Sequence, residues 1–129
     1  MRPDCPKHAP LSPAARLGGA GRADYHGRMI HVTTTVSDTA EAEALARAAL
    51  GARQAACANI VPGVISLFHW KGSVAQEAEV MVVFKTTEAL RAALVETLTD
   101  RHPYELPVIT WETVGTTEGA QDWLDGETR

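Results

Sequence analysis

Two long β-rich runs joined by a single glycine-bearing turn constrain this chain more than any other feature. The first, "AACANIVPGVISLFHWKG", is apolar and rich in β-branched residues; the second, "VAQEAEVMVVFKT", alternates. Side chains in a strand point to opposite faces with period two. In the second run Glu77, Glu79, Met81, Val83 and Lys85 therefore share one face, and Ala78, Val80, Val82, Phe84 and Thr86 the other. Gly72 marks the turn, and so short a connection predicts an antiparallel hairpin. Pro62-Gly63 interrupts the first run. Proline removes a ladder donor and glycine permits a bulge, so a break or bend is expected there.

The segments around the hairpin decide the fold class. "IHVTTTV" (30–36) puts Ile30, Val32, Thr34 and Val36 on one face and His31, Thr33 and Thr35 on the other, a strand pattern. Asp38 is a good helix N-cap with Glu41 three residues on, and Ala42, Leu45, Ala46, Ala49 and Leu50 recur at helical spacing, so a first helix is expected to about Arg53. Thr86 or Thr87 caps a second helix, with Leu90, Ala93, Leu94, Thr97 and Leu98 as its apolar stripe. Pro103 disfavours helical geometry at His102 and ends it. "VITWET" reads as a fourth strand ended by Gly115, and a short last helix follows from Thr116 or Thr117, carrying Ala120, Trp123 and Leu124 on one side. The order βαββαβ plus a terminal helix predicts an α+β, ferredoxin-like sandwich with both main helices on one sheet face. The other face mixes large apolar groups with charges, which points to cover by another subunit.

The first 28 residues differ in kind. They hold four prolines and show no apolar period, so they bury too little surface to offset ordering entropy. They also lack the apolar stretch of a secretory signal. Residues 1–28 are expected to be a flexible extension, or to precede the true start at Met29, with the folded domain at 29–129. They carry five basic and two acidic residues, a net +3, which leaves −7 on residues 29–129 of the chain's overall −4. So acidic a body argues against nucleic acid, which requires a basic face. No window approaches the ~18 apolar residues of a membrane span. The two cysteines, Cys5 and Cys57, form no CxxC pair and no disulfide framework, and they read as belonging to a reducing compartment.

The stretch "RHPYELPVIT" (101–110) holds the most concentrated chemistry. His102 either closes the second helix against its dipole or ligates Cu(II) or Zn(II) through a neutral imidazole. Glu79 is either a carboxylate ligand in a polar cleft or a solvated group near Lys85, which points the same way six residues on. Cys57 reads as a small buried hydrophobe or a thiolate ligand. His69-Trp70 and Tyr104-Glu105 place aromatic and polar groups together, as in subunit clefts, and with Lys85 they suggest a lining for a small anionic ligand. His31 is expected to be exposed or at a strand pair. No nucleophile elbow, phosphate loop or HExxH motif occurs, which argues against an enzyme.

"QAACANIVPGVISLFHWKG", "EVMVVFKT" and "RHPYELPVI", in that order, resemble the CutA divalent-cation tolerance family from Met29 to Leu124. The resemblance implies a ferredoxin-like subunit in a tight homotrimer, in the cytoplasm, linked to tolerance of copper and other divalent metals such as zinc. It implies a metal site built from a cysteine, a glutamate and a histidine; motif for motif, these fall on Thr34, Glu79 and His102. Threonine at 34 departs from the family, because a hydroxyl is a poor ligand where a thiolate is a strong soft one. Ala120 departs too, standing where the family often has a tyrosine. Metal binding is therefore expected at His102 and Glu79, with Cys57 and Thr34 as weaker neighbours. The competing expectation is a signalling trimer whose inter-subunit clefts bind an anionic ligand or nucleotide through Lys85, Trp70 and Tyr104.

Overall fold

The computed structural model describes residues 27–129. In chain order it runs β1 (Gly27–Val36), α1 (Thr39–Gly51), β2 (Cys57–Trp70), β3 (Ser73–Thr86), α2 (Glu88–Arg101), β4 (Ile109–Thr116) and α3 (Glu118–Glu127). The strands form one antiparallel sheet in the order β2-β3-β1-β4, the ferredoxin-like order expected from the sequence. β1 starts two residues ahead of Met29; the expected extension otherwise lies outside the described residues.

The core follows the alternation. Ile30, Val32, Thr34 and Val36 of β1 and Val80, Val82, Phe84 and Thr86 of β3 are buried beneath the helices. α1 contributes Leu45 and three alanines, Ala42, Ala46 and Ala49, whose small side chains let the helix lie close to the sheet, and α2 contributes Leu94 and Leu98. Burying a side chain such as Phe84 stabilises the fold by roughly 1.5–3 kcal/mol.

Capping explains the helix ends. The Asp38 carboxylate accepts the Glu41 N–H at 2.8 Å, while the Glu41 carboxylate accepts the Ser37 N–H at 3.0 Å, a capping box displaced by one residue. α1 ends at Gly51, two residues before Arg53. Arg53 adopts the left-handed conformation (φ 58°), and the Arg53 and Gln54 N–H groups donate to Leu50 and Ala49 carbonyls. That is a Schellman closure without glycine at the left-handed position.

Two sequence expectations change in form. Pro62-Gly63 does not end β2: Val61 pairs with Met81 and Val64 with Glu79, so one extra residue is accommodated as a bulge, with Gly63 at φ 82°. Gly115 does not end β4, because the ladder to β1 continues through Arg28–Gly115 and Gly27–Thr116. The hairpin turn is Lys71-Gly72, both at positive φ between paired Trp70 and Ser73, the two-residue geometry that matches strand twist.

β1 meets β3 only over Val80–Thr86, whereas β2 and β3 stay paired to the turn. The outer half of the hairpin is thus a two-stranded arm, and it displays Ile65, Leu67, Trp70 and Val74, each more than half exposed.

Candidate functional site

A polar corner lies where β1, the bulged hairpin and the turn after α2 meet. Pro103 holds His102 in extended geometry (φ −65°, ψ 135°) at the C-cap of α2, which turns the chain back toward β1. The imidazole is buried there, 8% exposed. Its Nε2 lies 2.9 Å from Thr34 Oγ1 and 3.1 Å from the Thr35 carbonyl oxygen. Its Nδ1 accepts the Tyr104 N–H at 3.1 Å.

These partners assign the tautomer. A backbone N–H can only donate, so Nδ1 carries a lone pair; a carbonyl can only accept, so Nε2 carries the proton. Thr34 fits this assignment, because its hydroxyl donates to the Val108 carbonyl at 2.9 Å and its oxygen is left to accept from Nε2–H. His102 is therefore neutral. Burial, the largest influence, pushes its pKa below the usual 6.5, against the Thr35 carbonyl and the Glu41 and Glu79 carboxylates, which favour the charged form.

Tyr104 connects this pair to Glu79. Its ring sits 4.9 Å from that of His102, tilted by 55°, and its hydroxyl donates to Glu79 Oε2 at 2.6 Å while accepting from Ser37 Oγ at 3.3 Å. Burial alone would raise the Glu79 pKa, but hydrogen bonds from Ser66, Tyr104 and Thr35 and the nearby His102 outweigh it and hold the carboxyl below the usual 4.5. The Tyr104 phenol is pushed above 10 by burial and by Glu79. The corner is thus an ionised carboxylate ringed by hydroxyls beside a neutral histidine.

Thr34, Glu79, His102 and Tyr104 converge, then, although Thr34 and His102 are 68 residues apart. The other named residues lie elsewhere. Lys85 pairs across the sheet with Cys57 on one side and His31 on the other. Six residues separate it from Glu79, about 20 Å along the strand, so the two form no ion pair. Trp70 sits at the tip of the arm, twelve residues of β3 from Lys85 and about 40 Å away, so Lys85, Trp70 and Tyr104 share no cleft within one chain. No free cysteine occurs among the described residues, which corrects the reading of Cys57 as a thiol able to offer a thiolate. His31 is half-buried between Lys85 and Glu112, beside a shallow depression of about 280 Å³ lined by Thr33, Thr110 and Trp111. Ser37, Thr35, Ser66 and the Val108 carbonyl were not anticipated; the hydroxyl-rich run from Thr33 to Ser37 was the signal for two of them.

A copper site of the kind the resemblance implies fits these residues only in part. Glu79 is an available anionic oxygen donor. His102 is not available, since one ring nitrogen holds a proton and the other accepts an amide, and the Thr34 hydroxyl is spent on His102 and Val108. Among the described residues no three His, Cys, Asp or Glu side chains are grouped to hold a metal ion. Nor is any described helix long and apolar enough to cross a membrane.

Known proteins with the same chain path give this corner its context. The Escherichia coli divalent-cation tolerance protein CutA is 40% identical over 93 residues, spanning 72% of this chain and 81% of that protein. The crystal structure of CutA1 from Oryza sativa superposes with a TM-score of 0.76 at 33% identity, covering 81% of this chain and 96% of the other. A relative from Archaeoglobus fulgidus, described as a periplasmic divalent cation tolerance protein, superposes at 0.75 with 26% identity, covering 78% and 99%. The sequence pattern of the family described as "CutA1 divalent ion tolerance protein" matches residues 30–127, from Ile30 in β1 to the end of α3. The overall chain path is thus shared, and the chain belongs to the CutA1 divalent ion tolerance family.

Proposed function

We propose that this chain acts in divalent-cation tolerance by binding divalent cations, copper(II) foremost, as a cytoplasmic homotrimer that contributes to metal-ion homeostasis. The observation that carries the proposal is Glu79, held ionised by hydroxyl donors at the corner where the Thr34 and His102 positions also meet. An ionised carboxylate with no lysine or arginine partner among the described residues is a suitable point of attachment for a cation. Copper(II) heads the order of divalent affinities for nitrogen and oxygen donors, so it is the cation such a site favours. The exposed apolar arm supports assembly, because a two-stranded ribbon is marginal alone and Ile65, Leu67, Trp70 and Val74 need cover. Calorimetric titration with Cu(II) and Zn(II) tests the reading. Glu79→Gln is expected to lose most of the affinity, and equal binding by wild type and Glu79→Gln would overturn it.

A second reading has one observation in its favour. Lys85 stands in no ion pair among the described residues, on the sheet face away from the helices, and a cation placed so in a trimer suits an anionic ligand at a subunit boundary. Trp70 and Tyr104 would join it from neighbouring subunits. A thermal-shift screen of nucleotides and small anions separates the two: stabilisation by an anion that is lost in Lys85→Ala supports this reading, and no shift with any anion removes it.

A further inference from the structure

We infer that His102 is a positioning residue, a latch that holds the turn after α2 so that Tyr104 meets Glu79, and that it ligates no cation. The argument is one of occupancy. An imidazole has two nitrogens, and the fold uses both: Nδ1 accepts the Tyr104 N–H two residues on, and Nε2–H is shared by Thr34 Oγ1 and the Thr35 carbonyl. The first bond shapes the turn, and the second ties it to β1. Thr34 closes the set by donating to the Val108 carbonyl, which pins the far side of the same turn. Ligation through Nδ1 would require Tyr104 to leave, and with it the hydroxyl bonded to Glu79. Ligation through Nε2 would move the proton to Nδ1, where it faces the Tyr104 N–H, and would deprive the Thr35 carbonyl of its donor. A cation at this corner therefore meets oxygen donors, with Glu79 first among them.

This refines the cation-binding reading and rests on it only where cation affinity is measured. The primary test needs no mutation. Nitrogen-15 spectra of the wild-type imidazoles near neutral pH are expected to show His102 with Nε2 protonated and Nδ1 bare, and unchanged when Zn(II), a diamagnetic probe, is added to saturation. A reversed tautomer, or a His102 nitrogen resonance displaced by Zn(II), overturns the inference. If Zn(II) and Cu(II) bind nowhere, the cation-binding reading fails while the tautomer still judges the latch.

Variants supply the second arm. His102→Asn keeps an acceptor that reaches the N–H two residues on, as asparagine does in turns, whereas His102→Ala keeps nothing. A positioning role predicts that the asparagine variant retains cation affinity within about threefold, while the alanine variant loses about tenfold or more, the scale seen when outer supports of a metal site are removed. A ligand role predicts equal, large losses in both, and that pattern overturns the proposal. A free Tyr104 amide signal, exchanging with solvent in His102→Ala and protected in His102→Asn, reports the latch directly.

Discussion

Replacing Thr34 by valine removes one hydroxyl from a site that is 2% exposed and changes almost nothing in volume. The change deletes two hydrogen bonds at once, both 2.9 Å long: the one accepted from His102 Nε2–H and the one donated to the Val108 carbonyl. A buried hydrogen bond contributes about 1 kcal/mol net. His102 keeps the Thr35 carbonyl as a partner for Nε2–H, so the first loss is partial; Val108 is exposed, so water reaches its carbonyl and limits the second. The expected cost is about 1.5 kcal/mol, after the small gain from burying an extra methyl. Denaturant unfolding at fixed protein concentration measures it, since the proposed assembly would make stability depend on concentration. A double-mutant cycle with His102→Ala then isolates the pair, with an expected coupling of about 0.5–1 kcal/mol. Valine that stabilises the protein, or a coupling indistinguishable from zero, would mean that Thr34 and His102 do not support each other, and the latch reasoning would collapse.

Acid should weaken the fold in two stages. The folded state holds His102 neutral with a lowered pKa, so its contribution is complete above the unfolded value of 6.5 and is lost as pH falls from there through the folded value. Glu79, also lowered, adds a second loss below about 4.5, and midpoint-versus-pH curves of His102→Asn should lack the first stage only. Tyr104→Phe removes the 2.6 Å bond to Glu79, should cost about 1 kcal/mol, and should raise the Glu79 pKa, visible by carboxyl carbon NMR. Ile65→Asp places a charge on the exposed apolar arm and should shift the protein toward monomer by light scattering; an unchanged mass would remove the arm from the interface. Thr34→Cys supplies a soft donor next to His102 and should raise copper affinity by at least about tenfold in competition titrations.

Much of the fold was legible because its signals are local. The alternation in 30–36 and 77–86, the cap at Asp38, the cap at Thr86 or Thr87 that proves to be Thr87, and the turn at Gly72 each act within a few residues of sequence. The strand continuity past Pro62 and Gly115 was not legible in the same way. A breaker's effect depends on whether the neighbouring ladder can absorb it: β3 accommodates the extra residue at one, and β1 pairs straight through the other. The end of α1 shifted for a related reason, because Arg53 takes a left-handed conformation that sequence preference assigns to glycine.

The candidate site divides along the same line. The sequence by itself determined which side chains the corner had to work with: a histidine set by Pro103 into extended geometry, a glutamate on the long strand and a threonine on the inward face of the first strand. Composition and local pattern suffice for that, since each is a property of a residue and its neighbours. The tertiary structure alone decided what those side chains are doing. It took the packing of α2 against β1 to bury His102, to commit one ring nitrogen to an amide and the other to a hydroxyl and a carbonyl, and to set Tyr104 between histidine and carboxylate. Whether a buried nitrogen has a lone pair to offer is a question of its partners, and those partners arrive from across the fold.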